Sequence, residues 1–482
     1  MTNLKIIDSF CTENDFDLGN KSILVAASGG VDSMVLIDTL LKINSNLHKK
    51  ITKIGIAHCN FSLRDEESEQ DEIFIKEYAV KNNIPFYSIK FNTKQIAKTQ
   101  QKSIQLVARE LRYDFFEKIS QEKQYDFVAT AHHLSDSLET SIYHLSKGTG
   151  IAGVRGILPK RNSRNSSESD SLATQIIRPL LCITKEEIIS YANENNLKWR
   201  EDASNQTQKY KRNFIRHQII PRLKEINRDT EKTFLNTSER LRSMENLLQT
   251  HVNDFENFFF KKENGSSTIN SSQIKKLREP LLIVSEFLKK RGFSYKQAKQ
   301  IIKQLDTLEQ EKTKRFVSKS HILYTNKKEW ILAAQEENQL NQLSNETEEF
   351  LISLNDIKSD NFVFQSELQG VTLTFEECSP KEVDFKSKAM YLDADKLEFP
   401  LILRKWKDGD KFVPLGMKNQ KSIGDFLTDL KISMYERNFV YVLLSKNKIS
   451  WVGVIQQNEV KGLRISNPFK LNEHSKNIIV IK

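Results

Sequence analysis

The run Ser28-Gly29-Gly30-Val31-Asp32-Ser33 sets two adjacent glycines between hydroxyls, with a carboxylate beside them. It lies where the apolar segment SILVAA gives way to the amphipathic VDSMVLIDTLLKI, that is, where a buried strand should pass into a helix. Backbone N–H groups at such a turn, the two hydroxyls and the positive end of the helix dipole together suit a phosphate. Glycine lets the backbone approach that anion closely. Asp32 would repel phosphate oxygens unless a cation lay between them, so it is read as facing Mg²⁺. Taken alone, the same run is also an ordinary glycine-rich strand-to-helix turn. It is not a Walker loop, because no G-x-x-x-x-G-K-[ST] occurs in the chain.

Three further segments carry groups able to do chemistry. AHCNFSLRDEE, residues 57–67, ends the next expected strand and should flank the same pocket, since ligands of parallel sheets lie beyond the carboxyl ends of the strands. Arg109 and Arg112 stand three apart on a helical pattern and so share a face that could hold phosphates or simply be solvated. In ATAHHLSDSLET, residues 129–140, His132, His133, Asp136 and Glu139 crowd the start of a helix. Spacing names no third protein ligand for zinc there. Asp136 and Glu139 can bind a cationic substrate or orient an attacking amine, or serve only the helix dipole. Beyond Asp202, Ser204 and Asn205 comes QTQKYKRNFIRHQIIPRLK, with six cations (Lys209, Lys211, Arg212, Arg216, Arg222, Lys224) and no acid. On a helix Lys209, Arg212 and Arg216 fall on one face, with Tyr210 and Phe214 interleaved, a pattern suited to RNA backbone or pyrophosphate. The bland alternative is a solvated face. The triplet Gly148, Gly150 and Gly153 follows a helix rather than a strand, which argues against a dinucleotide site.

The elements that must position these groups follow from hydrophobic periodicity. Between Ser22 and about Leu181, buried β-branched runs alternate with helical patterns, which is the mark of a doubly wound parallel α/β sheet with right-handed crossovers. Residues 160–175 are Ser/Asn/Arg-rich and aperiodic, and read as a surface loop. Thr184 and Glu187 form a capping box that opens a helix over EEIISYANENN. From about Thr230 to Leu308 the pattern is mostly helical. Alternation returns in HILYTNKKEWILAA, LILRKW, FVYVLLSKNKISWVGVI and NIIVIK, with NKK and KNK as hairpin centres. At 482 residues the chain has length for about three domains. These are expected at 1–222, 223–340 (helical) and 341–482 (β-rich). Lys and Arg total 73 against 63 acids, a net charge of +10 that favours a polyanionic partner. No segment reaches the roughly 18 apolar residues of a membrane span, and Cys11, Cys59, Cys182 and Cys378 form no C-x-x-C, so a cytoplasmic protein with reduced thiols and no membrane partner is expected.

The phosphate loop resembles that of the PP-loop ATP pyrophosphatases. The ordered set SGGVDS, HCNFSLR, RELRY, AHHLSDSLET, KGTGIAGVRG, IIRPLL and DASNQTQKYKRNFIRHQIIPRL resembles the tRNA(Ile)-lysidine synthetase family, as does LRKWKDGDKFVPLGMKNQKSIGDFLTDLKI near the C-terminus. The resemblance implies an enzyme that uses ATP and Mg²⁺ to adenylate the wobble cytidine of an isoleucine tRNA with a CAU anticodon. Free L-lysine then displaces AMP. It implies phosphate or Mg²⁺ binding at Ser28, Gly29, Gly30, Val31, Asp32 and Ser33, and adenosine contacts around Ala57 and Arg112. It further implies lysine or RNA binding by His133, Asp136, Glu139, Lys209 and Arg216, and catalytic roles for Asp32, Asp136 and Arg212. It admits a homodimer. One departure is Ser135, where the family commonly carries a first acid before the second, here Asp136. Competing readings are a tRNA-thiolating PP-loop enzyme, a small-molecule amide-forming ligase of the same superfamily, and a protein that only binds RNA. Scattered cysteines argue against the first, and the extra basic segments argue against the second.

Overall fold

The computed structural model describes residues 2–46, 51–63, 66–163, 174–200, 211–263, 266–305, 313–335, 349–358, 362–365, 372–384, 389–432, 434–456 and 459–481. The chain divides into two compact units, Met1–Leu247 and Leu248–Lys482.

The first unit begins with α1 (Thr2–Glu13), β1 (Ser22–Ala26), α2 (Val31–Asn46), β2 (Lys53–Asn60), α3 (Glu66–Lys81) and β3 (Phe86–Lys90). It continues with α4 (Thr93–Thr99), α5 (Ile104–Glu122), β4 (Phe127–Ala129), α6 (Leu134–Leu145), α7 (Ile151–Val154), β5 (Lys160–Asn162) and β6 (Gln175–Ile177). The six strands lie in the order β3-β2-β1-β4-β6-β5. All pairings are parallel except that of β5 with β6. The ends of the expected loop at 160–175 thus pair as an antiparallel edge hairpin, and its centre, 164–173, lies outside the described residues. The order reverses at β1, with β2 on one side and β4 on the other, which opens a crevice at their carboxyl ends.

Burial follows the period of two. Ile23 and Val25 of β1 pack with Met34, Val35, Ile37 and Leu40 of α2 on one face of the sheet. Leu24, Ala57 and Val128 pack with Tyr113, Phe115, Phe116 and Ile119 of α5 on the other. Each such aliphatic side chain contributes roughly 1.5–3 kcal/mol on burial. Ser103 caps α5 at the Leu106 N–H, and the Thr184–Glu187 box opens α8 (Lys185–Glu194). Downstream come α9 (Lys211–Phe214), a π-helical turn at Ile215–Ile219, α10 (Ile220–Ile226) and α11 (Thr230–Phe259).

The second unit holds the expected helices, Pro280–Lys289 and Tyr295–Gln304, and also an antiparallel five-stranded sheet in the order 261–263, 266–270, 329–334, 321–325, 314–317. Leu323, Trp330 and Leu332 on one face of that sheet pack with Val284, Phe287 and Ile301 of the helices. Ile322, Tyr324, Ile331 and Ala333 on the other face pack with Phe412, Phe426, Val440 and Val442. One sheet therefore packs against both the helices and strands of the β-rich part within this unit. Both hairpins centred on NKK and KNK form.

Candidate active site

A cavity of ≈ 450 Å³ occupies the crevice at the switch point. Its wall is built from the ends of β1 (Ala26, Ala27, Ser28, with Asp32 and Ser33), of β2 (His58 to Phe61), and of β4 (Thr130 to His132, with Asp136), and from Arg112, Tyr113 and Phe116 of α5.

The loop after β1 is preformed. Gly29 has φ +85°, a left-handed conformation that only glycine adopts without strain. The Ser33 hydroxyl donates to the Gly30 carbonyl at 2.9 Å, and the Gly30 N–H donates to Ser28 Oγ at 3.4 Å. The Arg200 N–H donates to the Gly29 carbonyl at 3.0 Å, while the Arg200 guanidinium pairs with Asp71, another wall residue. Asp32, in the first turn of α2, pairs with Lys185 at the start of α8.

The Asp136 side chain does two things. Its Oδ2 accepts from the His133 N–H at 3.2 Å, completing the capping box of α6, and its Oδ1 accepts from Arg216 Nη2 at 3.3 Å. Glu139, one turn on and 3% exposed, receives Arg216 Nε at 2.5 Å and Nη2 at 3.0 Å. His133 Nε2 stands 3.4 Å from Asp136 and 3.9 Å from Asp32, so one buried imidazole links the loop carboxylate to the α6 carboxylate. Burial opposes ionisation of Asp136, but His133, His132, the His133 N–H and Arg216 outweigh it and hold the carboxyl below its ordinary value. At Glu139 burial prevails over Arg216 and raises the carboxyl. His132, bonded through Nδ1 to Thr130 Oγ1 at 3.0 Å, is lowered to about 3, by burial first and by Arg178 next.

Of the residues expected from sequence, Ser28, Asp32, Ser33, Arg112 and Asp136 line the cavity. Gly29, Gly30 and Val31 form the loop and the first residue of α2. Ala57 is fully buried and does not reach the cavity, although its carbonyl accepts the Ala27 N–H at 3.0 Å. His133 and Glu139 are buried against Asp136. Arg212 is exposed on α9 and does not line the cavity, whereas Arg216 reaches the wall residue Asp136. Lys209, Asp202, Ser204 and Asn205 lie outside the described residues. Arg109 and Arg112 also part company, Arg109 lying over Tyr113 and Arg112 over Phe61, each at 5.2 Å from the ring centroid. Ser135 accepts the Lys185 N–H at 3.1 Å and so anchors the residue that pairs with Asp32. Nothing in the local sequence around Lys185 signals that pairing, which spans 153 positions.

Residues 4–223 match the PP-loop domain model, and residues 262–335 match the TilS substrate-binding domain. The tRNA(Ile)-lysidine synthase of Bacteroides thetaiotaomicron is 32% identical over 465 residues, covering 96% of each chain. That of Parabacteroides distasonis is 30% identical over 464 residues, covering 96% of this chain and 95% of the relative. The chain belongs to the tRNA(Ile)-lysidine synthase family. Among the described residues the four cysteines form no disulfide. Cys59 alone among them reaches the cavity wall, and burial pushes its thiol up to about 12, which leaves it protonated and a poor nucleophile. Among the described residues no group of three or more His, Cys, Asp or Glu side chains could hold a metal ion. Asp32 is the carboxylate that stands beside the loop. Among the described residues no helix is long and apolar enough to cross a membrane.

Proposed function

We propose that this chain ligates free L-lysine to C2 of the wobble cytidine of an isoleucine tRNA with a CAU anticodon, using ATP and Mg²⁺ in the cytoplasm. The observation that carries this reading is that His133 links Asp32 of the glycine loop to Asp136, which shares Arg216 with the buried Glu139. ATP phosphates fit the Ser28–Ser33 loop, and Arg112 and the β2 end fit the nucleoside. Mg²⁺ held at Asp32 would neutralise phosphate charge. Attack of the cytidine C2 oxygen on the α-phosphorus forms a P–O bond and breaks the bond to pyrophosphate. The lysine ε-amine then forms a C–N bond at C2 as the C2–O bond breaks and AMP leaves. Lysine arrives as a cation and must attack as a neutral amine, so it needs carboxylates that bind the ammonium and accept its proton. Asp136 and Glu139 supply them.

In this structure Arg216 fills that acid pair. It is therefore a cation in cis at the place where the substrate ammonium belongs, and lysine binding requires its displacement. Residues 1–222 would carry catalysis, with 223–340 and 341–482 binding tRNA. Lys209 and the exposed Arg212 would face RNA, and a homodimer is compatible with all of this.

The test is incubation with ATP, labelled lysine and isoleucine tRNA bearing CAU, beside methionine tRNA with the same anticodon. Label in the first alone supports the reading. Label in both, or pyrophosphate release without label in either, overturns it.

A further inference from the structure

Beside the cavity, Arg109, Arg161 and Arg178 are cations that the proposed reaction does not use. Tyr113, a wall residue that is 6% exposed, is surrounded by three guanidinium groups. Arg109 Cζ lies 5.2 Å and Arg161 Cζ 4.8 Å from its ring centroid. Arg178 adds its charge beside the same side chain. The three arginines come from α5, from β5 and from the position just after β6, so only the tertiary fold brings them together.

Two of these arginines, Arg161 and Arg178, keep buried donors without partners. Arg178, 4% exposed, gives Nη1 to the Leu158 carbonyl, yet its Nε is buried without a partner. Arg161 gives Nη1 to the Asn162 carbonyl at 3.1 Å, and its Nη2 is buried without a partner. Among the described residues no carboxylate pairs with Arg161 or Arg178. Burial, joined by the charges of Arg161 and Arg109 against the favourable Tyr113, lowers Arg178 to about 10. At Tyr113 the three arginines overcome burial and pull the hydroxyl below its ordinary value. A fold that gathers like charges and leaves buried donors open is short of an anion.

We propose that Arg109, Arg161 and Arg178, gathered round Tyr113, form a subsite for a phosphate group, and that the group is a phosphodiester of the substrate RNA. The proposal rests on the reading that this chain acts on tRNA. Planar guanidinium groups match phosphate oxygens in pairs. Phosphate could also come from the nucleotide, but the nucleotide already has its loop after β1. Arg178 follows β6, two strand positions away, which is roughly 10 Å across a sheet, and Arg161 lies one strand farther out. That spacing suits a neighbouring phosphate of the RNA whose target base enters the crevice. Such a contact fixes register and carries no base information.

The experiment uses the full-length chain, an unmodified isoleucine tRNA transcript and a non-hydrolysable ATP analogue. Arg161→Gln should raise the Kd for tRNA about tenfold at moderate salt and reduce the slope of log K against log salt by about 1. It should leave the analogue's Kd within about twofold, the scatter expected for a surface change that touches no bound group. Arg161→Lys should recover part of the affinity. If Arg161→Gln melts below the assay temperature, Arg109→Gln on the exposed face of α5 takes its place. Weakened analogue binding with tRNA affinity intact would assign the subsite to the nucleotide and overturn the proposal. So would an unchanged salt slope. If the wild-type chain binds no tRNA at all, the functional reading itself fails, a result seen without any variant.

Discussion

Arg216 is the side chain whose removal best separates a structural cation from a substrate mimic. It holds Glu139 through two bonds, at 2.5 and 3.0 Å, and Asp136 through one at 3.3 Å. The Glu139 side chain is 4% exposed and that of Arg216 36%. Breaking a fully buried pair costs about 3–5 kcal/mol, but water already reaches Arg216 and screens part of the interaction. A loss of about 1–3 kcal/mol is therefore expected for Arg216→Ala. At roughly 2–4 °C per kcal/mol for a unit of this size, the thermal midpoint should fall by about 2–12 °C. Without its cation Glu139, already raised by burial, rises further, and the deficit is greatest where the carboxyl stays ionised. If Arg216 occupies the place of the lysine ammonium, the same free energy is what lysine spends to displace it. Lysine should then bind the variant about 5- to 150-fold more tightly than wild type, since each 1.4 kcal/mol is a factor of about ten. Calorimetric titration with L-lysine, and melting with and without it, would measure both. Equal or weaker lysine binding in the variant, with folding intact, would show that Arg216 does not compete with substrate and would refute the reasoning.

Gly29→Ala should cost about 1–2 kcal/mol, because φ +85° is strained for any side chain, and it should weaken ATP-analogue binding, which a calorimetric titration reads; unchanged affinity would remove the loop from the phosphate role. Asp32→Asn should slow pyrophosphate release about 10²-fold or more while tRNA affinity stays unchanged, with stopped-time phosphate assays and filter binding as the two readouts. His132 is lowered to about 3 from 6.5, so between those values the unfolded chain binds the proton that the folded chain refuses. Stability from this site is present above pH 6.5 and is lost as pH falls toward 3. His132→Gln should therefore flatten the acid limb of a melting-temperature profile, and an acid limb identical to wild type would contradict the burial described.

What was legible in the sequence is local. The glycine pair at a strand-to-helix junction, the Ser103 and Thr184 caps and the alternation in β1, β2 and β4 are each written within a few residues, and they fix where the crevice lies. The five-stranded sheet in the second unit is only half written. HILYT and EWILAA alternate visibly, but their partners KKE and SSTIN are short and polar and carry no pattern of their own.

Side-chain partnership across the fold was not legible. Helical spacing puts Arg109 with Arg112, and Arg212 with Arg216, on common faces. A face, however, does not name its neighbour: Arg216 meets Asp136 and Glu139, while Arg212 stays exposed. Asp136 shows why the bland and the chemical readings of an acid at a helix start need not compete. One of its oxygens accepts the His133 N–H and serves the helix, and the other meets Arg216 in the acid pair. The helix start fixes the rotamer, and the fixed rotamer is what presents the second oxygen to a cation. A carboxylate held this way pays little additional entropy to bind an ammonium, so the capping role is the means by which the proposed binding role is preorganised.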